Sequence, residues 1–127
     1  MRKILSIVET AYRATLEEQD DTILWITQAC KNAGADVSLL LRGNAVNYLA
    51  RGQDASGLSF GELRQTNPPD MNRDLRKMAE KGVKLYCVRE DLAERGISEG
   101  EVWTGAENIG RAELPALLEQ FDQVWHW

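Results

Sequence analysis

Short apolar runs of strand length recur along this chain, and each is followed by a segment with helical spacing that a glycine ends. Residues 3–8 (Lys-Ile-Leu-Ser-Ile-Val) are too few for a core helix and read as a buried strand. Residues 37–41 (Val-Ser-Leu-Leu-Leu) and 83–87 (Val-Lys-Leu-Tyr-Cys) read the same way, with weaker candidates at 101–104 and 124–127. After a loop at 9–15, helical spacing puts Leu16, Ile23, Ile26, Thr27, Cys30 and Ala33 on one face. Glu17, Glu18, Asp20 and Asp21 fall in its early turns, where the helix dipole favours negative charge, and Gly34 ends it. The turn Gly43-Asn44 leads into a short helix at 45–51, ended by Gly52. Residues 53–69, with Gly57, Gly61, Pro68 and Pro69, read as a long surface loop with a helical turn at 60–63. Asp70 then caps a helix over 71–81 with Leu75, Met78 and Ala79 inward, which Gly82 breaks. A short helix at 90–95 stops at Gly96, and one at 113–120 carries Pro115 in its first turn.

Strands alternating with helices predict an α/β fold: a mostly parallel sheet of about five strands with helices on both faces. At 127 residues and 14.3 kDa the chain is expected to form a single three-layer domain over 1–127. Its sheet core is expected from Ile4, Ile7, Val37, Leu39, Leu41, Val83 and Leu85. In such sheets ligands and reactive groups gather at the carboxyl ends of the strands.

Several function classes drop out. The net charge of −5 and pI near 4.9 repel a phosphate backbone, and no basic run offsets them, so no nucleic-acid partner is expected. No apolar run is long enough to span a membrane. Glu9 cuts the first apolar run too short for a signal peptide, and the chain reads as cytoplasmic. Two cysteines, Cys30 and Cys87, do not make a disulfide scaffold, and no Cys/His cluster suggests a metal.

Gly57-Leu58-Ser59-Phe60-Gly61 matches the G-x-S-x-G nucleophile elbow, but the polar residues before it are not strand-like, and the only base on offer is His126. A glycine-rich loop is the better reading. No dinucleotide or nucleotide-phosphate motif is present. Arg42-Gly43-Asn44, at a strand end, has the form of an anion site at a helix start, although such turns more often only connect elements.

Cys30 falls on the apolar face of the first helix and reads as a packed residue. Cys87 closes a strand just before a helix, which places its sulfur at an outward crevice where the helix dipole and Arg89 lower its pKa. Glu90 and Asp91 oppose that if they face the sulfur, and the residues alone leave reactive and packed readings evenly balanced. Trp103, Trp125 and Trp127 load the last quarter with aromatic surface, in packing or at a contact between copies.

These segments resemble the DsrE/DsrF/DsrH-like family, which includes the TusBCD sulfur-relay proteins. The resemblance runs over nearly the whole chain. It rests on the opening strand, on Ala33-Gly34-Ala35-Asp36-Val37, on Leu41-Arg42-Gly43-Asn44-Ala45-Val46, and above all on Gly82-Val83-Lys84-Leu85-Tyr86-Cys87 followed by Arg95-Gly96-Ile97. It implies a DsrE-like fold, assembly as trimers, hexamers or dimers, no cofactor, and a persulfide carried on Cys87. Where some members have further cysteines, this chain has Val88 and Arg89.

Two functions follow, of which the first is the expected one and the second its alternative. In the first, the chain is a sulfurtransferase or sulfur carrier. The Cys87 thiolate takes the outer sulfur of a protein donor's persulfide and passes it to a protein acceptor, with Arg89 and the backbone N–H groups of Glu90 and Asp91 supporting the anion. In the second, the chain is a non-catalytic oligomeric module. Its strand-end crevice then binds a small ligand or a partner, and Cys87 only packs.

Overall fold

The computed structural model describes residues 1–15, 17 and 21–127. Five strands form one sheet: β1 (Lys3–Val8), β2 (Asp36–Leu41), β5 (Leu85–Val88), β6 (Glu107–Ile109) and β7 (Gln123–His126). Their order is β6-β5-β2-β1-β7, and every neighbouring pair is parallel. The remaining strands, β3 (Ser59–Phe60) and β4 (Leu63–Arg64), form a separate antiparallel hairpin.

Side chains alternate across the sheet and build two cores. Val8, Leu39, Leu41, Leu85 and Cys87 point to the face covered by α1 (Thr22–Asn32) and α2 (Met71–Glu80). Leu5, Ile7, Leu40, Tyr86, Val88 and Ile109 point to the other face, where α4 (Leu114–Leu118) lays down Leu114 and Leu117. Leu39, Leu40 and Leu41 are fully buried in succession, as befits a strand covered on both sides. Each such side chain contributes roughly 1.5–3 kcal/mol. Of the expected core, Ile7, Val37, Leu39, Leu41, Val83 and Leu85 are buried and Ile4 is half-buried.

Both long helices start on an aspartate cap. Asp21 Oδ1 accepts from the backbone N–H groups of Ile23 (2.7 Å) and Leu24 (3.1 Å), and Asp70 Oδ1 from that of Arg73 (3.0 Å). Because α1 begins at Thr22, Asp21 stands at its cap and Glu17 lies ahead of it. Glu17 instead accepts from the backbone N–H groups of Thr66 and Asn67, tying the long loop down. Leu16, Glu18 and Asp20 lie outside the described residues. Ile23, Leu24 and Thr27 are the buried residues of α1; Cys30 is only half-buried, and Ala33 is exposed.

Other expectations shift. The segment at 45–51 is a 3-10 helix, Gly43–Leu49. The helical turn expected at 60–63 is the β3–β4 hairpin. The strand expected at 101–104 reduces to one bridge, Val102 to Ala50, and the edge strand is β6, a few residues on. The short helix after β5 is α3 (Arg89–Glu94). Among the described residues no helix is long and apolar enough to cross a membrane.

Candidate functional site at the carboxyl edge of the sheet

Leu41, Cys87 and Asn108 lie side by side in register at the carboxyl ends of β2, β5 and β6. Strand alternation decides where the sulfur goes. Cys87 is one residue from Tyr86 and two from Leu85, so it shares the Leu85 face and enters the core under α1 and α2. The residue is 0% exposed. Its thiol donates to Asn108 Oδ1 at 2.6 Å. Burial pushes the thiol up from 9.0 to about 11, and no neighbouring charge offsets it.

The sequence-based expectation of an outward, activated sulfur is therefore corrected. Arg89 does not support the thiolate: it is half exposed, and its nearest ionic partner is Glu90 at 3.9 Å. Glu90 accepts from the backbone N–H of Arg111. Asp91, which is 7% exposed, turns away from the sulfur and toward the β2 turn. Its Oδ2 accepts from the Gly43 backbone N–H at 2.7 Å, and its Oδ1 from Arg111 Nη2 at 2.5 Å. Burial raises the Asp91 carboxyl, but these hydrogen bonds and the charges of Arg111 and Arg95 outweigh it and hold the group below its ordinary value. The anion position foreseen at Arg42-Gly43-Asn44 is thus filled by the chain's own carboxylate. Gly43 turns there at φ +56°, a conformation that suits glycine. Arg95 completes the clamp by donating to Asn44 Oδ1 at 2.9 Å.

Asn108 went unnoticed in the sequence because β6 did. Three residues, two of them polar, leave no periodicity to read. The G-x-S-x-G serine, Ser59, sits exposed on the hairpin with no strand-to-helix turn. His126 pairs with Glu9 at 2.9 Å. That arrangement makes no nucleophile elbow. No cluster of potential metal ligands occurs among the described residues.

A second feature of the same edge is a cavity of about 460 Å³ beneath the loops that follow β1 and β2. Tyr12, Gln53, Asn72, Arg76 and Trp103 are among its walls, and Cys87 is not. Nearby, Tyr48 donates its hydroxyl to Asp21 Oδ2, and both residues are fully buried. Burial first, then the Asp21 carboxylate, push the Tyr48 phenol well above its ordinary value, so it stays a donor.

The parallel five-strand sheet with helices on both faces defines a three-layer α/β protein. The chain belongs to the DsrE/DsrF-like family, whose model matches residues 7–126. Among solved structures it is similar to the YchN protein from E. coli, at 22% identity over 100% of both chains with a TM-score of 0.76. It is also similar to MTH1491 from Methanobacterium thermoautotrophicum, at 14% identity over 98% of this chain and 99% of that one, with a TM-score of 0.61. BT1422 from Bacteroides thetaiotaomicron is 12% identical over 98% of this chain and 95% of its own, with a TM-score of 0.65. At these identities the likeness is one of fold. No curated protein matches the chain.

Proposed function

We propose that this DsrE/DsrF-like protein is a non-catalytic binding module that works through the crevice at the carboxyl edge of its sheet. One observation carries the reading: the Cys87 sulfur is buried on the core face with its thiol raised to about 11. A thiol in that state offers about one part in ten thousand as thiolate at neutral pH, and the thiolate is the nucleophile. The open cavity at the same edge is lined by other residues. Self-association in the cytoplasm belongs to the reading. It is supported by Trp25, Phe60 and Leu63, which are 65%, 65% and 75% exposed, and by Trp127 at 42%.

The sulfur-carrier reading is the alternative, favoured by family membership and by Cys87 lying at a strand end immediately before α3. It requires the Cys87 thiolate to attack the outer sulfur of a donor persulfide, expelling the donor thiolate. An acceptor thiolate then takes that sulfur and releases Cys87. A partner must first bring the sulfur out of the core.

Timed alkylation of the native protein separates the two. Under the binding reading half-buried Cys30 is modified first and Cys87 only on unfolding. Modification of Cys87 ahead of Cys30 in the native protein overturns it.

A further inference from the structure

We propose that the 460 Å³ cavity binds a small planar organic acid, its ring held between Tyr12 and Trp103 and its anionic group on Arg76. This deepens the binding reading and rests on it. The volume lies within the range of small-molecule sites.

The two aromatic walls are fixed in place. Tyr12 donates its hydroxyl to Gln53 Oε1 at 2.5 Å and packs edge-on against Tyr48, with ring centroids 5.0 Å apart. Gln53 is itself anchored, its amide donating to the carbonyls of Asn47 and Ala50 at 2.9 Å each. The Trp103 backbone N–H donates to Leu49 O at 2.8 Å. The Trp103 ring lies so close to Gly105 that a Cβ there would sit 2.0–2.5 Å from three ring atoms. Only glycine leaves the indole where it stands.

The charged side chains of the lining are two carboxylates, Asp54 and Asp70, and two guanidiniums, Arg51 and Arg76, and the ligand's sign follows from which of them remains uncommitted. The acidic side chains are already engaged: Asp54 Oδ1 accepts from the Ser56 backbone N–H at 2.9 Å, and Asp70 Oδ1 caps α2. Arg51 donates to Gly100 O. Asn72 gives its amide hydrogens to the carbonyls of Tyr48 (2.7 Å) and Ala50 (3.2 Å), which leaves its oxygen as an acceptor. The Arg76 guanidinium and the Trp103 indole N–H make no hydrogen bond or ion pair among the described residues. Two uncommitted donors, one of them a full positive charge, suit a carboxylate. Two aromatic side chains in the lining suit a flat ring, and the Asn72 oxygen suits a ring N–H or hydroxyl.

The test uses indole-3-carboxylate and its neutral amide, indole-3-carboxamide, by calorimetry and ligand-observed NMR on the full chain. The acid should bind saturably and the amide about tenfold or more weakly. Arg76→Gln, an exposed substitution, should remove that preference while leaving thermal stability unchanged. Gly105→Ala should displace the indole and weaken both probes. If Gly105→Ala does not fold, Trp103→Leu supplies the same arm. Absence of saturable binding, equal binding of acid and amide, or indifference to Arg76→Gln overturns the assignment. The parent reading fails by a different result, sulfur loading on Cys87, which is read by mass whatever indole-3-carboxylate does.

Discussion

Cys87 and Asn108 face each other across the parallel β5–β6 pair, the thiol donating to the amide oxygen at 2.6 Å. The bond is satisfied only while the sulfur keeps its proton, so both the contact and the burial favour the neutral thiol. The arrangement is that of a packed cysteine, at a position where a strand end and a helix start would otherwise suit a reactive one.

A pH dependence follows. The folded thiol sits at about 11 against an ordinary 9.0. A group whose pKa is raised on folding contributes stability that is complete below the unfolded value and lost as pH rises through the folded one. Denaturant titrations should therefore show about 2–3 kcal/mol lost between pH 9 and 11 that is absent in Cys87→Ala. Equal losses in both proteins argue for an exposed sulfur.

The Asp91 clamp titrates in the opposite sense. Its carboxyl is held below the ordinary value, so its contribution is present above pH ~4 and lost as the medium becomes more acidic. Asp91→Ala leaves the Gly43 N–H without its acceptor and Arg111 without its buried partner, and should cost about 2–4 kcal/mol at neutral pH. A chemical-denaturation midpoint equal to wild type would show that water replaces the carboxylate.

The buried Asp21–Tyr48 pair makes a third case. Tyr48→Phe removes one donor to Asp21 and should cost about 1–3 kcal/mol. Asp21→Ala removes the α1 cap as well and should cost more, with α1 amides the first to lose hydrogen-exchange protection. Asp21→Asn, which keeps an oxygen for the cap, should fall between them.

Much of this architecture is legible in the sequence, for physical reasons. A strand buried on both faces, such as β1 or β2, announces itself as an apolar run, and an aspartate before a periodic segment marks a helix start, as Asp70 does. The edge is different. Glu107, Asn108 and Ile109 form a strand only because β5 supplies hydrogen-bond partners, which no local pattern records. The direction of the Cys87 side chain depends on register. Shifting a strand by one residue exchanges its two faces, so the end of β5 tells where the sulfur lies along the sheet but not which side of it. Asp91 reaches Gly43 across a separation of 48 residues, a pairing invisible before folding.

Self-association is checked by sedimentation. The exposed Phe60 and Leu63 on the hairpin, with Trp127 at the chain's end, should carry the mass above the monomer's 14.3 kDa at micromolar concentration. A Phe60→Lys, Leu63→Lys variant that shifts the distribution toward monomer identifies the hairpin as the contact. A wild type that sediments as monomer throughout contradicts it.

The most direct test is to incubate the native protein and its Cys30→Ser variant with polysulfide and read the intact masses. With Cys87 sealed in the core, Cys30→Ser should gain no sulfur, and any adduct on the wild type should vanish with Cys30. A reductant-reversible gain of sulfur on Cys30→Ser, lost when Cys87→Ser is added to that variant, would show that Cys87 takes up sulfur and would replace the binding reading with sulfur transfer.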